Sequence, residues 1–205
     1  MMKKITREEI RCATCKYGCD LTHRASDIYN RCPLQKITTW PGGNHFFSSS
    51  LLSMVAGKYE SIFCRGCIFV DFSRGNVRYF TNSNWIEYLK NTGLMLVIVS
   101  DRFMEPLATY WQKEDIRIQT VICADQSLEE TSRQINGCYF GLKAENSKRV
   151  NPLKQDEVQF LDLAMNGLSL TIIAREMGVE KKRVYNIKDA IRRKMGISLN
   201  QLFSA

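Results

Sequence analysis

The run Leu94-Met95-Leu96-Val97-Ile98-Val99-Ser100, set between Gly93 and Asp101, is almost wholly apolar and rich in β-branched side chains. A run of this length and composition fits a strand that is covered on both faces. The flanking sequence repeats the theme. Cys67–Phe72 and Ile118–Cys123 read as further strands, and Trp85–Lys90, Pro106–Lys113 and Ser127–Ile135 as helices between and after them. Ser127 can cap the last of these, with Glu129 and Glu130 in a first turn where negative charge suits the helix dipole. An earlier helix is expected at Phe46–Gly57, where Phe47, Leu51, Met54 and Val55 recur at helical spacing. Strands alternating with helices imply a parallel sheet with helices on both sides.

Composition narrows the function classes. With 44% hydrophobic and 24% charged residues among 205, the chain is neither disordered nor fibrous. Its longest apolar run falls far short of the roughly 20 residues that a bilayer requires. The basic opening Met1-Met2-Lys3-Lys4-Ile5-Thr6-Arg7 is followed by no apolar stretch, so no secretory signal is expected and the expected location is cytoplasmic, without membrane contact. Lys and Arg number 29 against 21 Asp and Glu, a net charge of +8 that favours a polyanionic partner. No enzyme is expected and no catalytic residue is assigned. His23 and His45 are the two histidines, neither lies in a triad-like arrangement, and no glycine-rich phosphate loop is present.

Four sections follow from these patterns: a cysteine-rich segment 1–40, an α/β regulatory domain 41–142, a polar linker 143–152 and a helical domain 153–205. In the last, Val158, Leu161, Leu163 and Ala164 give a first helix its buried face, and Asn166-Gly167 stops it. Ser169 caps a second helix, Leu170–Met177. Gly178-Val179-Glu180 connects it to a third, Lys181–Met195, and Leu199–Phe203 forms a fourth. Two short helices joined by a tight glycine-containing turn make a helix-turn-helix, whose second helix enters the major groove. From Arg175 onward eight basic side chains face three acidic ones. Val184, Ile187, Ile191 and Met195 form one apolar face of the third helix, which turns Tyr185, Asn186, Lys188, Asp189 and Arg192 outward.

Several spaced positions resemble the LuxR-type helix-turn-helix of bacterial transcription regulators. Leu153, Glu157, Leu161, Leu163 and Gly167-Leu168-Ser169 match its opening, Ile173-Ala174-Arg175-Glu176-Met177-Gly178-Val179 its turn, and Val184, Ile191, Lys194, Met195 and Gly196 its ending. The resemblance implies double-stranded DNA as partner. It places base-edge contacts on Tyr185, Asn186 and Asp189, and phosphate contacts on Lys182, Arg183, Lys188 and Arg192, with Lys181 at the same end of the helix. An amide such as Asn186 suits adenine, and Asp189, which can only accept, suits cytosine N4. Arg183 stands where the family usually has Thr, and Ile187 and Asp189 where it has a basic or histidine pair, so the resemblance implies the DNA-binding class and does not specify the target sequence.

LuxR-type domains often follow a phosphorylatable receiver domain, and the α/β region resembles the later two thirds of one. Asp71 falls where the phospho-accepting aspartate would end its strand, and Ser100 where the switch hydroxyl would stand. The acidic pair that would hold Mg²⁺ is missing, with only Asp20 and Asp27 upstream, and the lysine position carries Cys123 or Ala124. The fold class expected is therefore a degenerate receiver-like α/β N-terminal domain plus an all-α helix-turn-helix C-terminal domain. The strings Trp40-Pro41, Phe46-Phe47, Leu51-Leu52, Phe69-Val70-Asp71-Phe72 and Leu107-Ala108-Thr109-Tyr110-Trp111 are similar to the enterobacterial common-pilus regulators, orphan LuxR-type regulators of fimbrial operons.

Cys12, Cys15, Cys19 and Cys32 offer four soft ligands with spacing suited to a zinc ion or an iron–sulfur cluster; free thiols are the alternative. Cys64-x2-Cys67 is a weaker pair, because residues three apart on a strand face opposite sides. The function read from the whole is sequence-specific transcription regulation, by a homodimer that works with RNA polymerase and senses metal or redox state through the cysteines. The alternative is an accessory protein that forms a heterodimer with a true response regulator and alters its promoter choice.

Overall fold

A computed structural model of the chain describes residues 10–14, 16–21, 36–55, 66–139 and 150–204. Four strands, β1 (Ile37–Trp40), β2 (Cys67–Phe72), β3 (Met95–Ser100) and β4 (Ile118–Cys123), form one parallel sheet in the order β1-β2-β3-β4. The register runs Ile37 to Cys67, Cys67 to Met95 and Leu96 to Ile118, with a shift between Leu96 and Val97. Every residue of β2 is buried, as expected for a central parallel strand packed on both faces. Gly66 leads into it where a Cβ would lie 2.1 Å from the Lys36 carbonyl oxygen, so no side chain fits there.

Helices cover both faces. On one face, α1 (His45–Val55) and α4 (Leu128–Tyr139) bury Leu51, Val55 and Ile135 against Phe69, Val97, Val99 and Ile122. On the other lie α2 (Asn84–Lys90) and α3 (Glu105–Glu114), with Trp85, Leu89, Leu107 and Trp111 over Ile68, Val70, Phe72, Leu96 and Ile98. A 3-10 helix, Arg74–Tyr79, follows β2. Trp40, Phe72, Phe80, Trp85 and Trp111 meet edge-on or stacked here, with Phe72 and Phe80 centroids 3.8 Å apart. The Trp111 indole donates to the Phe80 carbonyl at 2.8 Å.

The three strands read from the sequence are present, and the expected helices recur with ends shifted by a few residues. One correction concerns the upstream strand. Sequence reading assigned none before residue 60 and looked to Asp20 and Asp27 for acidic residues. The structure supplies β1, which ends at Trp40, runs into Pro41-Gly42-Gly43 and carries no acid. Asp20 instead belongs to an antiparallel bridge with Arg11, and Asp27 lies outside the described residues.

Four helices complete the chain: α5 (Gln155–Met165), α6 (Leu170–Glu176), α7 (Lys181–Met195) and α8 (Leu199–Phe203). Ser169 and Ser198 cap α6 and α8 through the Ile172 and Gln201 amides. Gly178 and Gly196 adopt left-handed φ values of 65° and 71°, which end α6 and α7 without Cβ strain. The helices join the face of the sheet that carries α2 and α3. Leu153 N donates to the Pro106 carbonyl at 3.0 Å, and Thr81 Oγ1 and Asn82 Nδ2 reach Asp162 Oδ1 at 2.6 and 2.9 Å. Phe160, Leu161, Ile173, Val184 and Ile191 thereby belong to the same buried cluster as Trp85 and Leu107.

Candidate nucleic-acid interface

The exposed face of α7 is the most strongly basic surface of the helical unit. Val184, Ile187, Ile191 and Met195 are buried, spaced three, four and four residues apart, so they occupy one side of the helix. Lys181, Lys182, Arg183, Tyr185, Asn186, Asp189, Arg192 and Arg193 are exposed and Lys188 is partly so. Tyr185 retains 54% of its surface in water. Each outward residue expected from the sequence is thus on one accessible face.

Two bases of α7 are held by α5. Arg183 meets Asp156 Oδ2 at 2.7 Å. Lys194 lies 2.7 Å from Glu157 Oε2 and donates to the Pro152 carbonyl at 2.9 Å, while the Lys154 amide donates to the same Glu157 oxygen at 2.7 Å. Lys194 counts among the basic residues of this segment by sequence, but its side chain is largely enclosed by α5, 11% exposed, and adds nothing to the exposed face. Arg192 and Asp189 stand 3.9 Å apart, at the limit of an ion pair.

The carboxyl end of the sheet is the other place where polar groups converge. Asp71 is buried at the end of β2 and accepts from Asn44 Nδ2 at 2.8 Å and from the Ser73 amide at 3.3 Å. Asn44 follows β1, where a receiver's Mg²⁺ would need carboxylates, and it supplies an amide donor instead. Asp101 is engaged by the Arg74, Phe103 and Met104 amides at 2.7, 2.9 and 2.9 Å. β4 ends at Cys123, followed by Ala124, with no lysine to neutralise a phosphoryl group. These residues do not fit an Mg²⁺ site of the receiver type, and no phosphoryl-transfer step follows from them. Asn44 was missed in the sequence because the strand before it went unassigned; its signal was Ile-Thr-Thr-Trp running into Pro-Gly-Gly.

Of the four cysteines with metal-ligand spacing, Cys15 and Cys32 lie outside the described residues, as does Cys64. Cys12 and Cys19 stand across from each other in a hairpin. The Cys12 amide donates to the Cys19 carbonyl at 2.8 Å beside the Arg11–Asp20 bridge, and both side chains turn toward the same core cluster. Among the described residues no group of three His, Cys, Asp or Glu side chains is placed to hold a metal ion. Among them, too, no helix is long and apolar enough to cross a membrane.

A four-stranded parallel α/β unit is thus followed by four helices that present a basic face. The chain belongs to the EcpR N-terminal domain family, whose model matches residues 11–139, well over half of its length. It is 29% identical over 196 residues to the uncharacterized protein YqeH of Escherichia coli K12, covering 96% of this chain and 93% of that one. Among solved structures it is similar to the response regulator RcsB in complex with DNA, with a TM-score of 0.38 and 14% identity over 76% of this chain and 79% of that one. For RcsB of Salmonella typhimurium the TM-score is 0.31, at 16% identity over 76% and 81%.

Proposed function

We propose that the chain is a sequence-specific DNA-binding transcription regulator, with α7 as the helix that enters the major groove. The observation that carries this reading is the division of α7 into a buried apolar side and an accessible side bearing Lys181, Lys182, Arg183, Tyr185, Asn186, Lys188 and Arg192. Lys182, Arg183, Lys188 and Arg192 contact phosphates, and Tyr185, Asn186 and Asp189 contact base edges. One short helix reads too little sequence to be selective alone, so the working form is a dimer on paired half-sites. The absence of fit to Mg²⁺ supports a regulatory domain that is not switched by phosphorylation. The resemblance of its sequence to common-pilus regulators favours surface or fimbrial genes as targets; the proposed setting is the cytoplasm, with RNA polymerase as a further partner.

The cysteines are the proposed input. Cys12, Cys15, Cys19 and Cys32 would hold a zinc ion or an iron–sulfur cluster, and the hairpin that sets Cys12 opposite Cys19 is compatible with shared ligation. Anaerobic purification followed by metal, sulfide and visible-absorption analysis tests this. Thiols without metal would remove the sensing role.

The test of the main reading is selection of duplexes from a random pool by the purified full-length chain, followed by footprinting at about 0.15 M salt. A protected, defined sequence is expected. Protection that requires an added response regulator would establish the heterodimeric accessory role instead. No affinity for any duplex would overturn DNA binding.

A further inference from the structure

Asp156 and Glu157 are neighbours in the first turn of α5, and each holds a base of α7. Arg183 and Lys194 lie roughly three turns apart along that helix and so on the same flank. The two pairs differ in their access to water. The side chains of Lys194 and Glu157 are 11% and 5% exposed, whereas those of Arg183 and Asp156 are 58% and 33% exposed. The first pair is sealed inside the helical unit. The second sits at the rim of the basic face, where an ion pair contributes little and opens readily.

Arg183 follows Lys181 and Lys182 in the first turn of α7. Of the exposed bases on this helix it is the one that a carboxylate holds within 3 Å among the described residues. The contact uses one Nη of Arg183 and one oxygen of Asp156, so the guanidinium keeps further N–H donors for a second anion. A phosphodiester offers oxygens with the geometry that guanidinium groups prefer. We propose that Asp156 occupies, in the free protein, the place that a DNA phosphate takes in the complex, and that Arg183 exchanges one for the other on binding. The proposal rests on the reading of the chain as a DNA-binding protein. Asp156 thereby sets the general, sequence-independent part of the affinity, and the base-facing residues Tyr185 and Asn186 act separately from it.

The experiment is a salt-dependent anisotropy titration of the full-length chain on a selected duplex and on a random-sequence duplex. The variants are Asp156→Asn, Arg183→Gln and the double substitution, each first shown to melt cooperatively; Asp156→Ser repeats the measurement with a side chain that favours a helix's first turn. Asp156→Asn is expected to tighten both duplexes about fivefold and to steepen the dependence on log salt by up to about one. Arg183→Gln weakens both, and in the double variant Asp156→Asn no longer tightens either. No tightening by Asp156→Asn overturns the exchange. So does equal tightening in the Arg183→Gln background, which would make Asp156 a general repulsive charge. Failure of the unaltered chain to bind any duplex would appear before any variant is compared and would overturn DNA binding itself.

Discussion

Glu157 Oε2 lies 2.7 Å from Lys194 Nζ, and both side chains are nearly sealed from water. The same carboxylate oxygen accepts the Lys154 amide, and the ammonium donates to the Pro152 carbonyl. One ion pair therefore fixes the entry of the chain into α5 against the last turn of α7. Removing one partner leaves the other charged and buried, so Glu157→Ala should cost about 3–5 kcal/mol in urea unfolding of the full-length chain. Replacing both, as Glu157→Leu with Lys194→Met, should recover most of that loss. A double variant as unstable as the single one would show that the pair contributes more than mutual neutralisation.

Asn44 and Asp71 make a second pair with a defined outcome. Because the Asn44 amide donates to Asp71 where a receiver would place Mg²⁺ ligands, acetyl phosphate with Mg²⁺ should leave the protein unmodified. Intact mass measurement checks this, and the gain of one phosphoryl group would overturn it. Asn44→Asp should destabilise by about 1–3 kcal/mol, since a donor to a buried carboxylate becomes a like charge.

If α7 enters the major groove as proposed, its residues separate by type of readout. Asn186→Ala should cost about 1–3 kcal/mol on a selected duplex while leaving random-sequence binding unchanged. Lys188→Gln should weaken both equally and lower the salt slope by about one. Titration of each variant against both duplexes makes the distinction, and a loss for Asn186→Ala that is equal on the two would remove it from the base-reading set.

Acid stability has one identifiable contributor at the start of β4. The Arg117 guanidinium, hydrogen-bonded through Nε at 2.8 Å and also through its second nitrogen, holds the Asp115 carboxyl below its ordinary value. A depressed folded value means that the carboxylate stabilises the fold above the ordinary aspartate range, near pH 3.9. The contribution is lost as pH falls through the lower folded value. Urea midpoints of the unaltered chain and of Arg117→Gln should therefore differ at neutral pH and converge in acid. A difference that persists unchanged at the lowest pH would assign the effect to packing.

Much of this architecture was legible because it is local. β2, β3 and β4 announce themselves as short β-branched runs between glycines and polar turns, and α7 and α8 have the limits that their caps and apolar spacing imply. The basic face of α7 follows from a helical period alone. β1 escaped because four residues, two of them threonine, make no periodic signal, and with it went Asn44. The partners Asp156–Arg183 and Glu157–Lys194 escaped for another reason. They lie 27 and 37 residues apart and meet only after α5 and α7 cross. Sequence counts Lys194 and Arg183 as equivalent positive charges; burial makes one a rivet and leaves the other at the surface.

The buried cluster runs without a break from Trp85 and Leu107 into Phe160, Ile173 and Ile191. A fragment beginning at residue 150 would leave Leu153 and Asp162 without the Pro106 carbonyl, Thr81 and Asn82, and the remainder would lose those partners in turn. Exchanging the helical unit for another would thus require redesign of the seam as well as of the basic face of α7.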